Sequence, residues 1–585
     1  MADPTRGADG FYHPASLDEV RALIRLANQK GLQLRARGSM HSVRDAILTD
    51  GFKDGKDPGP NINIQLDKMT GVRFNDASSR TMVEAGCHLG DDPLDPKSTL
   101  ENGFLYQLDH HTPQGGALDD LGGITHQTVS GFLSTGSAGG SLRHSIEHQI
   151  KRIRLVDGTG EVRELDSSQD EFNAAAISMG LLGVILQVEF EPTAPRYCIK
   201  GEEAITTVDE CAVDLFGPGT GGRQSLETFL RETDYTRLMW WPQQRVNKVA
   251  VWQAERAPWS KQFQRQPYQE IGYYPFDMDA LPADVRKDLK HLLENAGASV
   301  LWNLKAIIKL VEQHFSELPE QLRQLLMMLL TDLTGNISKL KEAKADVRSD
   351  MMQILIGLYF ALLGNRTVKD SLAEKMFRDI FRSEEEFEKV WAPLLMNYVF
   401  VVDDKNEPEP YKNKHQPFQD LGFMGLPMDN QISDWLMPTE FTELWIPIEQ
   451  TQSVMTDLKD FYETGGYEHT GTYACEVYGG KASEYWMSPA YHQDVVRIDV
   501  FWFGRNSERP DKTFYPQFWK LLAKYNFRPH WGKYLPPGDG ATGVDYLRRN
   551  YPRWNDFMDL RKKYDPAQIF VTDYWRSHLG IPRKG

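Results

Sequence analysis

The stretch RGSMHS, residues 37–42, sets one histidine, His41, in a polar turn directly after the alternating segment LQLRARG. Gly38, Ser39 and Ser42 let a ligand approach the backbone closely. A histidine so placed suits four chemistries: an anion-binding turn, a metal ligand, a catalytic base or a covalent tether. A second cluster, GGITHQTVSGFLSTGSAGGSLRHS over residues 122–145, is crowded with Gly, Ser and Thr. Backbone N–H groups in such loops neutralise a pyrophosphate without any lysine.

Other motifs carry less. GPGTGG, residues 217–222, satisfies the glycine spacing of a dinucleotide loop. Such a loop needs a strand before it, and TVDECAVDLF reads as helix, so GPGTGG is read as a flexible loop. HSIEH sets His144 and His148 four residues apart, a metal-pair spacing with no third ligand in view. The adjacent His110 and His111 diverge in most backbones. No metal site is expected.

The elements that must position these loops follow from periodicity. SLDEVRALIRLANQKG is a helix, with Ser16 as N-cap, Glu19 completing a capping box and Gly31 as the stop. Val20, Leu23, Ile24 and Ala27 form its apolar stripe. Short strands are read in LQLRARG, NINIQL, RTMVEAG, IKRIRLVDG, GEVREL and LGVILQVEFEP. Their irregular mixture with helices points to an α+β fold rather than a doubly wound sheet. From about residue 277 to 412 the chain turns to helical periodicity. Strand character returns in TELWIPIE, ACEVYGG and VVRIDVFWFG. YPRWNDFMDLRKKYDPAQIF closes the chain as an amphipathic helix stopped by Asp-Pro.

Composition narrows the class. The 585 residues are 41% hydrophobic, enough for two domains or more with real cores. Lys plus Arg is 66 against 82 Asp plus Glu, a formal charge of −16, which argues against nucleic-acid binding. Four cysteines, Cys87, Cys198, Cys211 and Cys475, lie far apart and suggest neither a disulfide framework nor zinc. The N-terminal MADPTRGADGFYHPAS has no apolar core of a secretory signal, and the apolar run MMQILIGLYFALLG is short of the roughly 20 residues a spanning helix needs. A cytoplasmic setting is expected, with membrane contact disfavoured and an oligomer left open.

Four segments together resemble the FAD flavoproteins of the vanillyl-alcohol oxidase (PCMH) type. These are FYHPASLDEVRALIRLANQKGLQLRARGSMHS; MVEAGCHLGD with GGITHQTVSGFLSTGSAGG; YTRLMWWP; and RPHWGK followed by YPRWNDFMDLRKKYDPAQIFVTDYW. Within that type the pattern is most similar to the sugar-lactone and alditol oxidases (D-arabinono-1,4-lactone oxidase-like), with the covalent cholesterol oxidases nearby. The resemblance covers roughly the first 195 and last 120 residues. It implies a two-domain fold: residues 1–195 and 527–585 as one FAD-binding domain built from both chain ends, and residues 196–526 as a mixed-sheet substrate domain carrying the insert at 277–412.

The resemblance also implies a cofactor site and a chemistry. FAD would be held by Arg37, Gly38, Ser39, Met40, His41 and Ser42; by Gly123, Thr128, Gly131, Ser134, Thr135, Gly136, Ser137 and Gly139; by Gly183, Val184 and Ile185; and by His530 and Lys533. In many members the matching histidine is bonded to the flavin, which makes His41 the expected covalent tether. A C–H bond beside a hydroxyl gives hydride to the flavin while a base takes the hydroxyl proton. Members use a Glu-x-Arg pair whose side chains share a strand face. Here Glu476 keeps the acidic position and Tyr478 stands where Arg is expected. If the following segment is a hairpin centred near residues 486–488, Arg497 faces Tyr478 and returns the charge. Lys533 is a second candidate for holding negative charge, and Glu443 matches a further acidic position. The expected partners are a small alcohol and dioxygen or another acceptor. The substrate is read as a sugar lactone, alditol or related polyol, with a bulkier apolar alcohol as the alternative. A flavin-binding homologue that has lost activity and serves as an interaction protein is the third reading.

Overall fold

The computed structural model describes residues 5–584 except 54–57, 93, 112–114, 192–194, 243–246, 269–413, 432–438, 465–471 and 504–508. The helical insert read at 277–412 therefore lies outside the described residues.

The first helix, Leu17–Lys30, starts where its capping residues dictate. Ser16 accepts the Glu19 N–H, and Gly31 ends the helix at φ 62°. Glu19 reaches back to the Ala15 N–H at 2.8 Å rather than to Ser16, so the box closes one residue earlier than its usual form. The stripe Val20, Leu23, Ile24 and Ala27 is fully buried. It feeds β1 (Leu34–Arg37), which pairs in parallel with β2 (Ile62–Gln65).

Strands β3 (Val72–Asn75), β4 (Arg80–Glu84), β5 (Ile150–Val156), β6 (Val162–Asp166) and β7 (Val184–Phe190) form an antiparallel sheet of order β3-β4-β7-β5-β6. The chain then runs through β8 (Tyr197–Thr207), the short parallel pair β9 (Val213–Asp214) and β10 (Gln224–Ser225), β11 (Tyr235–Trp241), β12 (Lys248–Pro258), β13 (Lys414–Leu421), β14 (Thr439–Pro447), β15 (Thr472–Gly480), β16 (Val495–Phe503) and β17 (Arg528–Pro529). Apart from β9 and β10, these make an eight-stranded sheet of order β13-β8-β12-β11-β15-β16-β14-β17, antiparallel throughout. Helices and antiparallel sheets are segregated, which is the α+β class.

The two chain ends meet. Leu34 N–H donates to Ile569 O at 2.7 Å, and the Trp575 indole donates to Ala46 O at 2.8 Å. Arg35, 4% exposed, joins three segments by donating to Ala46 O, Met179 O and Phe570 O at 2.7, 2.7 and 3.2 Å. The helix Trp554–Tyr564 stops before Asp565, whose carboxylate accepts the N–H groups of Ile569 and Phe570. Among the described residues no helix is long and apolar enough to cross a membrane.

Candidate active site

One face of the eight-stranded sheet carries the chemistry. Alternate residues of a strand share a face, and the register extends that face from strand to strand. Met239 of β11 lies opposite Glu476 of β15, Glu476 opposite Asp499 of β16, and Asp499 opposite Glu443 of β14. One step along, Tyr478 lies opposite Arg497, as the hairpin reading requires. These side chains line a cavity of about 840 Å³ together with Phe441, Phe501, His530, Lys533, Gly123, Ser137 and the loop Met40, His41, Ser42.

A narrower cavity of about 90 Å³ shares Met40, His41, Ser42, Gln127 and Thr135 with it. Its walls are Arg37, Gly38 and Ser39, then Thr128, Gly131 and Ser134, then Gly183, Val184 and Ile185. The loop between β1 and the site is held from both sides. Ser39 Oγ donates to His126 O at 2.7 Å, Val43 N–H donates to Gly532 O at 2.8 Å, and Lys533 Nζ donates to His41 O at 3.3 Å. The last two contacts bring together loops nearly 500 residues apart in the chain. Burial, with Lys533 next, pushes the His41 imidazole down to about 3, so it is neutral across the physiological range.

Arg497 anchors the wall. It donates to Glu443 from Nε at 2.8 Å and from Nη2 at 2.6 Å, to Ala138 O and Gly139 O from Nη1 at 3.0 and 2.9 Å, and to Tyr478 Oη at 2.8 Å. All five guanidinium donors are thus committed to protein acceptors. Arg497 stands opposite Tyr478 on the neighbouring strand, but it has no donor left for a ligand. The guanidinium lies over the rings of Tyr478 and Trp445, 3.9 and 4.3 Å from their centroids. Burial alone would raise the Glu443 carboxyl, yet Arg497 holds it below its ordinary value, so the pair is ionised.

The other two carboxyls behave oppositely. Burial, with Asp429 beside it, raises Glu476 to about 8, against the pull of Arg237 and Arg497. Arg237 Nε is 3.7 Å from Glu476 Oε1 and pairs with Asp429 as well. Burial, then Glu443 and Glu476, hold Asp499 well above the carboxylate range. Burial also lowers His530 to about 4; its Nδ1 accepts the Gly532 N–H at 3.1 Å. Lys533 Nζ stands 3.8 Å from the Phe441 ring centroid. A base above the usual carboxylate range, beside ionised and neutral partners, is suited to taking a proton near neutral pH.

Not every residue named from the sequence lines the two cavities. Gly136 is the left-handed C-cap of the helix Val129–Thr135, with φ 78°. Gly139 lies behind the wall: its N–H donates to Asp120 Oδ2 at 2.8 Å and its carbonyl accepts from Arg497. Both shape the loop rather than face the space. Asp499, Arg237, Asp429 and Gln127 were not singled out. Asp499 had a signal, since it sits two residues beyond Arg497 on the same strand face. Asp429 had none.

The GPGTGG segment is corrected in one respect. The residues before it are not helical: β8 ends at Thr207, and β9 follows after a turn. The loop's own anion is Asp214, which accepts the N–H groups of Gly217 and Gly219 at 2.9 and 3.2 Å. A carboxylate of the chain thus takes the place a phosphate would need. His144 and His148 face different carboxylates, Asp234 at 3.5 Å and Asp119 at 3.1 Å.

The lining of the two adjoining cavities suits FAD. Small residues of three segments wall the narrow cavity, and it opens onto the charged face through Gln127, whose buried Oε1 has no hydrogen-bond partner among the described residues. An FAD binding domain model matches residues 8–91, and a D-arabinono-1,4-lactone oxidase model matches residues 377–578. Cholesterol oxidase from B. sterolicum has the same fold, with a TM-score of 0.59 at 12% identity, covering 97% of this chain and 93% of that one. The chain thus has the fold of that oxidase, with an FAD binding domain in its N-terminal part.

Within that fold the chain resembles the sugar-lactone oxidases. L-gulonolactone oxidase of Mus musculus is 23% identical over 572 residues, covering 96% of this chain and 93% of its own. D-arabinono-1,4-lactone oxidase of Kluyveromyces lactis is 27% identical over 252 residues, 42% of this chain and 41% of its own.

Proposed function

We propose that this protein oxidises a hydroxyl of a sugar lactone, alditol or related polyol and passes the electrons to dioxygen, with FAD bonded to His41. The observation that carries the reading is the wall formed by Glu443, Glu476, Tyr478, Arg497, Asp499 and Lys533. Arg497, Glu443 and Tyr478 satisfy one another, but Asp499 Oδ1 has no hydrogen-bond partner among the described residues, so a substrate carrying further oxygens suits the wall better than an apolar alcohol, which would leave that oxygen unsatisfied. The named relatives, gulonolactone and arabinonolactone oxidases, support the same class.

FAD, when bound, supplies the hydride acceptor. The protein's part is positional and protolytic. Glu476 takes the proton of the reacting hydroxyl, and its raised pKa makes it a stronger base than an exposed carboxylate. Arg497 keeps residues 138–139 in place and balances Glu443. Lys533 supplies positive charge at the cavity. His41, at the junction of the two cavities and neutral, has the protonation state that a nucleophilic nitrogen needs. Four buried cysteines, none in a disulfide, support a reducing, cytoplasmic setting.

Anaerobic mixing with a panel of sugar lactones, alditols and a sterol tests the reading. Sugar lactones or alditols should bleach the flavin, and air should restore the colour. Bleaching by the sterol alone would refute the substrate class. Yellow colour should stay with acid-precipitated protein and leave it in His41→Ala; flavin wholly in the supernatant of the parent protein would refute the tether.

A further inference from the structure

Tyr478 fixes the proton inventory around Asp499. Arg497 Nη2 donates to Tyr478 Oη at 2.8 Å, and a guanidinium cannot accept in return. The single phenolic proton therefore goes to Asp499 Oδ2, 2.8 Å away, which makes Oδ2 an acceptor. Asp499 is 1% exposed, lines the large cavity, and its Oδ1 has no hydrogen-bond partner among the described residues. Glu443 faces it from β14, and Cys475, Glu476 and Tyr478 face it from β15. The nearby positive charge, Arg497 on its own strand, is already balanced by Glu443. A second or third carboxylate charge there would be buried without a partner, at high cost.

We propose that Asp499 is a neutral carboxylic acid whose Oδ1–H donates a hydrogen bond to the substrate oxygen next to the hydroxyl that Glu476 deprotonates. This rests on the polyol or lactone reading above. Burial and the facing carboxyls favour the protonated form, and Oδ1 is the oxygen left to carry the proton. Glu476 and Asp499 are direct cross-strand partners, with Cβ atoms about 4.5–5.5 Å apart. Two carboxyls at that spacing serve oxygens on adjacent carbons. An arginine at position 478 would favour an ionised Asp499. With a phenol at 478 and the arginine at 497 bonded to Glu443, Asp499 is left as a neutral donor. It suits an uncharged carbonyl or hydroxyl oxygen, while an acidic sugar would meet Glu443 as a like charge.

Asp499→Leu should raise KM for a lactone or polyol ~10–100-fold, the worth of one lost buried partner, with a smaller effect on kcat than Glu476→Gln has. Asp499→Asn should restore most of that loss, because Tyr478 must donate to the amide oxygen and so turns the NH2 toward the cavity. In the parent protein KM should rise at alkaline pH as Asp499 ionises, and this limb should be missing in Asp499→Asn. Infrared difference spectra of the two holoenzymes without substrate should show a carboxylic-acid C=O band present only in the parent. Asn behaving like Leu at every pH, or the absence of that band from the difference, would overturn the proposal. If no lactone or polyol bleaches the parent flavin, the substrate reading fails by itself, and the infrared difference still decides the protonation of Asp499.

Discussion

Replacing Arg497 by alanine tests the wall most directly. The side chain makes two contacts to Glu443, holds the carbonyls of Ala138 and Gly139, and donates to the Tyr478 phenol. Without it the Glu443 carboxylate, 2% exposed, keeps the Trp445 indole donor at 2.6 Å but loses its ion-pair partner. Breaking one side of a buried ion pair costs about 3–5 kcal/mol, because a charge is left without compensation. Against a total stability of about 5–15 kcal/mol this is a large share. Urea unfolding followed by tryptophan fluorescence should show that loss at neutral pH, with weaker flavin retention because residues 138–139 lose their anchor. The pH dependence has a definite sign. The folded Glu443 carboxyl titrates below its unfolded value of about 4.5, so the contribution is fully present above that value and is lost as pH falls through the lower folded one. The gap between parent and variant should therefore close in acid. Arg497→Met combined with Glu443→Met should recover much of the loss, since an apolar pair of similar volume leaves no unpaired charge. An Arg497→Ala protein within ~1 kcal/mol of the parent at neutral pH would refute the assignment of this pair as structural.

Three further outcomes are expected. Glu476→Gln should lower turnover by roughly 10²–10⁴-fold with KM little changed. It should also raise stability at neutral pH: the unfolded carboxyl ionises near 4.5 and the folded one near 8, so the parent loses stability as pH rises between the two and the amide does not. Equal pH–stability curves for the two proteins would count against a buried, proton-retaining Glu476. Gly183→Ala should cost about 1–3 kcal/mol and impair FAD retention, because Gly183 has φ 155° and an added Cβ would meet Val156 O, with Leu155 Cδ1 at 2.8 Å. Flavin content equal to the parent's after purification would argue against the narrow cavity as the cofactor cradle. A chain ending at residue 500 should not retain FAD, since it lacks His530, Lys533 and Trp575, which line the two cavities; full flavin content in that chain would refute a site built from both ends.

The sequence by itself was sufficient for local elements and for segments with strong chemical character. Ser16, the stripe from Val20 to Ala27 and Gly31 define the first helix because capping and periodicity act within a few residues. The alternation in ACEVYGG and VVRIDVFWFG predicts which residues share a face, and the hairpin between them predicts the pairing of Tyr478 with Arg497. Short-range rules misled at TVDECAVDLF, whose helical pattern gives way to β8, a turn and β9 under the sheet's long-range pairing. The state of the site depended on the tertiary structure. Lys533 reaches His41, Arg497 spends its donors on Ala138 and Gly139, and Asp429 meets Arg237 only because distant segments are packed together. The protonation of Glu443, Glu476 and Asp499 was settled at the same level. Three carboxyls of like intrinsic acidity are pushed apart by which one is paired with Arg497 and which face burial and neighbouring carboxyls, and desolvation and Coulomb interaction depend on distances through space rather than along the chain.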